Sequence, residues 1–174
     1  MSVSNALATS TVSPTSAPTI ELRALLPGDD ATAFRTLNEE WISRYFSLEA
    51  RDIETLGDPE TTILRKGGSI FMVYANSLPV GCAALISLGQ GVYELSKMAV
   101  SPQLRGRGLG RRLLLHTIAL ARLLGATSLV LGSNNTRLAD AIHLYESVGF
   151  RHVPPASLPP NPHTRANVFM QMPL

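Results

Sequence analysis

Apolar side chains recur every three or four residues at Phe34, Leu37, Trp41, Ile42 and Tyr45, a spacing that predicts an amphipathic helix with one buried face. Ile20 to Leu25 before it reads as a strand, and Pro27-Gly-Asp-Asp30 supplies the turn between the two. A weaker helical pattern runs from Leu48 to Leu56, after which Gly57, Pro59 and Gly67-Gly68 break the periodicity. Three strands are then expected at Ile70 to Ala75, Val80 to Leu88 and Val92 to Val100. The segments Asn76 to Pro79 and Gly89 to Gly91 between them are short enough for an antiparallel meander.

Past the loop Ser101 to Arg105, a long helix begins among glycines, carries Leu113, Leu114, Ile118, Ala121 and Leu124, and closes at Gly125. Ser128 to Leu131 reads as a short buried strand, Ala139 to Val148 as a helix ended by Gly149, and Phe150 to Val153 as another strand. Pro154, Pro155, Pro159, Pro160 and Pro162 forbid regular structure before a last apolar strand, Ala166 to Met172. The order is that of a mixed α/β (α+β) protein.

With 174 residues, 45% of them hydrophobic, the chain can bury one good core; residues 20–174 are expected to form a single domain. Met1 to Thr19, rich in Ser, Thr, Ala and Pro and without a charged side chain, reads as a flexible tail rather than a signal peptide. A net charge of +2 is too small for a nucleic-acid binder, and no apolar run is long enough to span a membrane. Cys82 is the only cysteine, so the default compartment is the reducing cytoplasm; its flanks, Gly81, Ala83 and Ala84, mark a packed thiol rather than a nucleophile.

Gly106-Arg-Gly-Leu-Gly110 lies between a predicted strand and a predicted helix, where open backbone N–H groups and the helix dipole can hold a phosphate. Arg105, Arg107, Arg111 and Arg112 add charge suited to a pyrophosphate or ribose phosphate. The segment fits neither the Rossmann fingerprint, which wants Gly or Ala where Arg111 stands, nor the P-loop, which wants Lys-Ser/Thr. The four histidines, His116, His143, His152 and His163, lack metal-site spacing, so no metal is expected.

Taken together, Glu94 to Val100, Gln103-Leu-Arg-Gly-Arg-Gly108 and Ala141 to Phe150 resemble the GCN5-related N-acetyltransferase superfamily, over about Ile20 to Met172. The Gln-x-x-Gly-x-Gly pattern falls at Gln103, Gly106 and Gly108, and the Leu-Tyr-x-x-x-Gly-Phe run at Leu144, Tyr145, Gly149 and Phe150. The resemblance implies a single twisted, V-shaped, mostly antiparallel sheet flanked by helices, with acetyl-CoA as acyl donor. It implies that backbone groups at Met98, Ala99 and Val100 meet the pantetheine arm. By the same implication, the amides of Arg105, Gly106, Arg107, Gly108, Leu109 and Gly110 meet the pyrophosphate. Where many members carry an asparagine, this chain has Leu138; Asn134 is the candidate replacement, with Asn135 as the alternative.

Direct transfer of an acetyl group needs a neutral amine, a polarised thioester carbonyl and a proton for the leaving thiolate. The resemblance implies Glu94 as base, a backbone N–H near Met98 for the carbonyl oxygen, and Tyr145 as general acid. Trp41, Arg44 and Tyr45 on the first helix, with Arg165 and Asn167 near the last strand, are candidates for holding the acceptor. That acceptor is a small-molecule amine or a protein amine; a homodimer is open. A non-catalytic acetyl-CoA-binding regulatory module of the same fold is the alternative.

Overall fold

The computed structural model describes residues 17–174; most of the expected tail, residues 1–16, lies outside them. Strands β1 (Ile20–Leu25), β2 (Ser69–Ala75), β3 (Leu78–Gly89) and β4 (Val92–Val100) form an antiparallel meander. Strands β5 (Ser128–Ser133), β6 (Arg151–His152) and β7 (Val168–Pro173) complete a seven-stranded sheet of order β1-β2-β3-β4-β5-β7-β6. Helices α1 (Thr32–Tyr45), α2 (Ala50–Gly57) and the short α3 (Pro59–Thr62) lie between β1 and β2. Helix α4 (Leu109–Leu123) joins β4 to β5, and α5 (Ala139–Val148) joins β5 to β6. No helix among the described residues is long and apolar enough to cross a membrane.

Strand alternation puts one apolar set on each face. Phe71, Val73, Ala83, Leu85 and Leu95 pack with Leu113, Leu114 and Ile118 of α4, whereas Ile70, Met72, Cys82 and Ala84 pack with Phe34 and Ile42 of α1. Cys82 is fully buried, and burial pushes its thiol up to about 12, in keeping with a packed side chain.

Two irregularities of β4 shape the centre. Its register against β3 jumps from Cys82↔Ala99 to Ala84↔Ser96, so an extra residue is accommodated, and Lys97 sits there at φ +50°. The bulge reverses the alternation: Leu95 faces α4, yet Ala99, four residues on, faces α1. Strands β4 and β5 are parallel and paired only at Val92↔Ser128, Tyr93↔Leu129 and Glu94↔Val130. Beyond Glu94 the two diverge, giving the V expected from the resemblance.

Three elements differ from the sequence expectation. Asp58 accepts a hydrogen bond from Thr61 N (3.0 Å) as the N-cap of α3, so Pro59 opens a helical turn, its missing N–H costing nothing at N1. β6 is two residues long rather than Phe150 to Val153. β7 starts at Val168 rather than Ala166, because Arg165 and Asn167 are drawn into side-chain contacts described below.

Candidate active site

A cavity of about 750 Å³ opens where β4 and β5 part. One wall is the unpaired stretch of β4, whose Leu95 to Val100 backbone has no β5 partner; Gly132, Ser133 and Asn134 stand opposite. Gly106, Gly108 and Gly110 line one end with Arg105 and Arg111, while Leu144 and Tyr145 of α5 close a side.

At the glycine end, Gly106 and Gly108 take φ of +72° and +74°, and Gly108 is the N-cap of α4. This left-handed turn leaves the first N–H groups of α4 without intrahelical partners, beside the positive end of its dipole. Arg105 Nε donates to the Val100 carbonyl (3.1 Å) and Arg111 to Ser147 Oγ (2.6 Å), so both guanidiniums are held at the rim. The donor set fits a pyrophosphate, and the free strand edge fits an amide-bearing arm. Arg107 is exposed and does not line the cavity, and Leu109 is buried in the core, so only their backbone can contribute.

Glu94 sits at the last β4–β5 pair, on the α1 and α2 side of the sheet, opposite Ile86 of β3. Burial raises its carboxyl above the ordinary range, partly offset by the charges of Lys97 and Arg51 and by the neighbouring Ser96 side chain. Tyr145 stacks edge-on to Phe150, ring centroids 5.8 Å apart, and burial pushes its hydroxyl up to about 12. Asn134 lines the cavity while its amide donates to the Arg165 carbonyl (2.8 Å) and its Oδ1 accepts from Thr136 and Arg137 N. Asn135 is paired instead with Asn167 and does not line it.

Of the acceptor candidates, Trp41 and Tyr45 line the cavity; the Trp41 indole donates to the buried Asn38 (3.1 Å) and meets Phe46 edge-on. Arg44 does not line it, its guanidinium lying over the Tyr45 ring at 5.8 Å. Asn167 also lies outside, held by Asn135. Arg165 lines the cavity but is already paired with Asp52 (2.6 Å).

That pair belongs to a buried ionic cluster the sequence reading missed. Asp52, fully buried, accepts from Lys97 Nζ at 2.7 Å and from both Arg165 amino groups at 2.6 and 2.9 Å. Glu49 accepts from His163 Nδ1 (2.8 Å) and from the N–H of Thr164 (3.1 Å), strapping the loop after β6 onto the start of α2. Burial alone would raise the Asp52 carboxyl, but hydrogen bonds from Arg165 and Lys97 outweigh it and hold it far below the usual range. Glu49, Asp52 and His163 stand close enough to share a metal ion, but Lys97 and Arg165 already neutralise those carboxylates. One sequence signal was available: Lys97 interrupts an otherwise apolar half-strand, and a buried ammonium demands a buried anion.

Gapped parallel strands over a glycine-rich helix start, with a carboxylate and a phenol on one cavity, give a site whose donors fit a phosphate-bearing group. The acetyltransferase (GNAT) family model matches residues 33–150, and the chain belongs to that family. It is 30% identical over 145 residues to mycothiol acetyltransferase of Cellulomonas flavigena, covering 76% of this chain but only 41% of that relative. A GNAT-family acetyltransferase structure from Staphylococcus aureus Mu50 superposes with a TM-score of 0.80 at 21% identity, covering 89% of this chain and 99% of the other. A GNAT-family acetyltransferase from Elizabethkingia anophelis, solved with acetyl-CoA bound, gives 0.60 at 20% identity, covering 89% and 98%.

Proposed function

We propose that the chain transfers the acetyl group of acetyl-CoA to the primary amine of an acceptor by direct attack on the thioester. The observation that carries this is the meeting of the glycine cradle, the free β4 edge, Glu94 and Tyr145 on one cavity. Acetyl-CoA supplies an activated acyl carbon and a thiol leaving group. The Arg105 to Gly110 amides hold its pyrophosphate, and the β4 backbone at Met98, Ala99 and Val100, with Asn134 opposite, holds its pantetheine arm. An N–H near Met98 polarises the acyl oxygen. Glu94 accepts the amine proton, directly or through water, and the Tyr145 hydroxyl donates a hydrogen bond to the departing sulfur. Trp41 and Tyr45 wall the acceptor's approach. The test is thiol release from acetyl-CoA across amine classes; binding without release from any amine would favour a non-catalytic module.

Gly108→Asp is expected to weaken acetyl-CoA binding by at least about tenfold in calorimetry. Asp tolerates φ near +74° better than most side chains, so the fold should survive while a carboxylate enters the anion cradle. Unchanged affinity in a folded variant would remove the cradle from the mechanism.

Glu94→Gln is expected to lower kcat/KM at neutral pH by about a hundredfold, the low end for a general base. Because burial raises the Glu94 carboxyl, the parent's activity should fall on acidification at a pH above the ordinary carboxylate range as the base takes up its proton. The variant should lack that acidic limb. A limb of unchanged position and amplitude in the variant places the base elsewhere.

A further inference from the structure

A second cavity, of about 320 Å³, lies on the α2 side of the sheet and meets the larger one at Glu94, Ser96 and Lys97. Its floor is apolar: Ile86 and Leu88 of β3, Val130 of β5 and Phe169 of β7. Leu158 and the prolines after it cover it, and that cover is fixed: Asn161 packs against Gly132, where a Cβ would collide with its amide, and Glu49 grips the following residues. The volume is at the low end for ligand pockets, room for a single amino acid rather than a peptide.

The charges on this cavity are unequal in commitment. Lys97 is spent on Asp52, and Arg165 lies outside the lining. Arg51 of α2 does line it, and its partner is Glu54 at 2.8 Å, a side chain 57% exposed and three residues along the same helix. Such a surface pair is weak and exchangeable, and a guanidinium with five N–H groups can take a second carboxylate. Arg51 is also close enough to Glu94 for its charge to act on that carboxyl. A cation and a carboxylate lining one cavity over an apolar floor repel a bare alkylammonium at one point and match a zwitterion at both.

We infer that the smaller cavity takes an apolar α-amino acid as acetyl acceptor, with its carboxylate on Arg51, its amine at Glu94 and its side chain on Ile86, Leu88, Val130 and Phe169. The inference rests on the acetyl-transfer reading. The ammonium first loses one proton to become the nucleophile. Its nitrogen then forms a C–N bond to the acyl carbon as the C–S bond breaks, the second proton passes to Glu94, which releases it to solvent, and the thiolate takes up a proton from solvent to give CoA. The products are an N-acetyl amino acid, CoA and one released proton.

The experiment measures thiol release by the full chain with leucine, methionine and phenylalanine, with the matching amines and amides that lack the free carboxylate, and with aspartate. Leucine or phenylalanine is expected to exceed its own amine and amide by about tenfold or more in kcat/KM, and to exceed aspartate. In Arg51→Gln, with the fold checked by circular dichroism, the acid-to-amine ratio should collapse toward one through KM rather than kcat. Calorimetric titration of leucine into the CoA-bound protein should show the same loss of about tenfold or more in affinity. Amines or amides turned over as well as the acids, preference for aspartate, or a ratio unmoved by Arg51→Gln overturns the acceptor assignment alone. Silence from this panel while another amine class releases thiol overturns the assignment alone; silence from every amine class, with acetyl-CoA still bound, overturns the transfer reading and the assignment with it.

Discussion

Asp52→Asn is expected to destabilise the fold by about 3–5 kcal/mol, the scale for breaking a buried ion pair by removing one partner. Asp52 is fully buried and the Lys97 side chain is 3% exposed, so solvent screening gives little relief. The substitution removes the anion that Lys97 and Arg165 share, leaving Glu49 beside Arg165 and the charge of Glu94 acting on Lys97. Urea denaturation read by far-UV circular dichroism gives the difference directly. The double variant Asp52→Asn/Lys97→Met should regain part of the loss, because it removes the buried ammonium that has lost its ion-pair partner. A loss below about 1 kcal/mol would reduce the cluster to surface-pair status.

The pH dependence has a definite sign. The folded-state Asp52 carboxyl is held below its unfolded value, so it binds protons more readily in the unfolded chain, and its contribution is complete above about pH 5. That contribution declines as pH falls below the unfolded value near 3.9 and is gone once pH passes under the folded one. The gap between parent and Asp52→Asn should therefore narrow on acidification through that window. A gap of constant size down to strong acid would mean that Asp52 matters for shape rather than charge.

Local patterns made most of the fold legible. The 3.6-residue periodicity from Phe34 to Tyr45 and the turn glycines between β3 and β4 act over a few residues, and the helices and strands they predict are present. The GNAT motif likewise lies within one short segment, and Gly106, Gly108 and Gly110 line the cavity together. The ionic cluster could not be read this way, because residues 49 and 52 meet 163 and 165 only after the sheet has closed. Arg44 and Asn167 stand outside the larger cavity for a related reason: their residue type suits an acceptor site, but contacts with Tyr45 and Asn135 hold them elsewhere. The bulge was equally hidden: the charge of Lys97 stands out in Leu95 to Val100, but a charge signals a buried partner and not an extra residue in the strand register.

Tyr145→Phe is expected to lower kcat by about 10- to 1000-fold while leaving acetyl-CoA affinity unchanged. The phenylalanine keeps the edge-on contact with Phe150 and fills the same space, so no cavity opens as it would with alanine. Burial raises the Tyr145 hydroxyl to about 12, so the group keeps its proton through the neutral range and is present as a donor. It is then a weaker acid than a thiol of pKa about 8.5, and complete transfer to a free thiolate runs uphill. The contribution is therefore a hydrogen bond that strengthens as negative charge gathers on the sulfur, an interaction worth more in the transition state than in the bound ground state. That is why the loss should appear in kcat and not in the binding constant. Single-turnover traces by stopped flow, with a good acceptor, separate this step from product release. Equal single-turnover rates for Tyr145→Phe and the parent would return Tyr145 to the apolar packing it shares with Phe150.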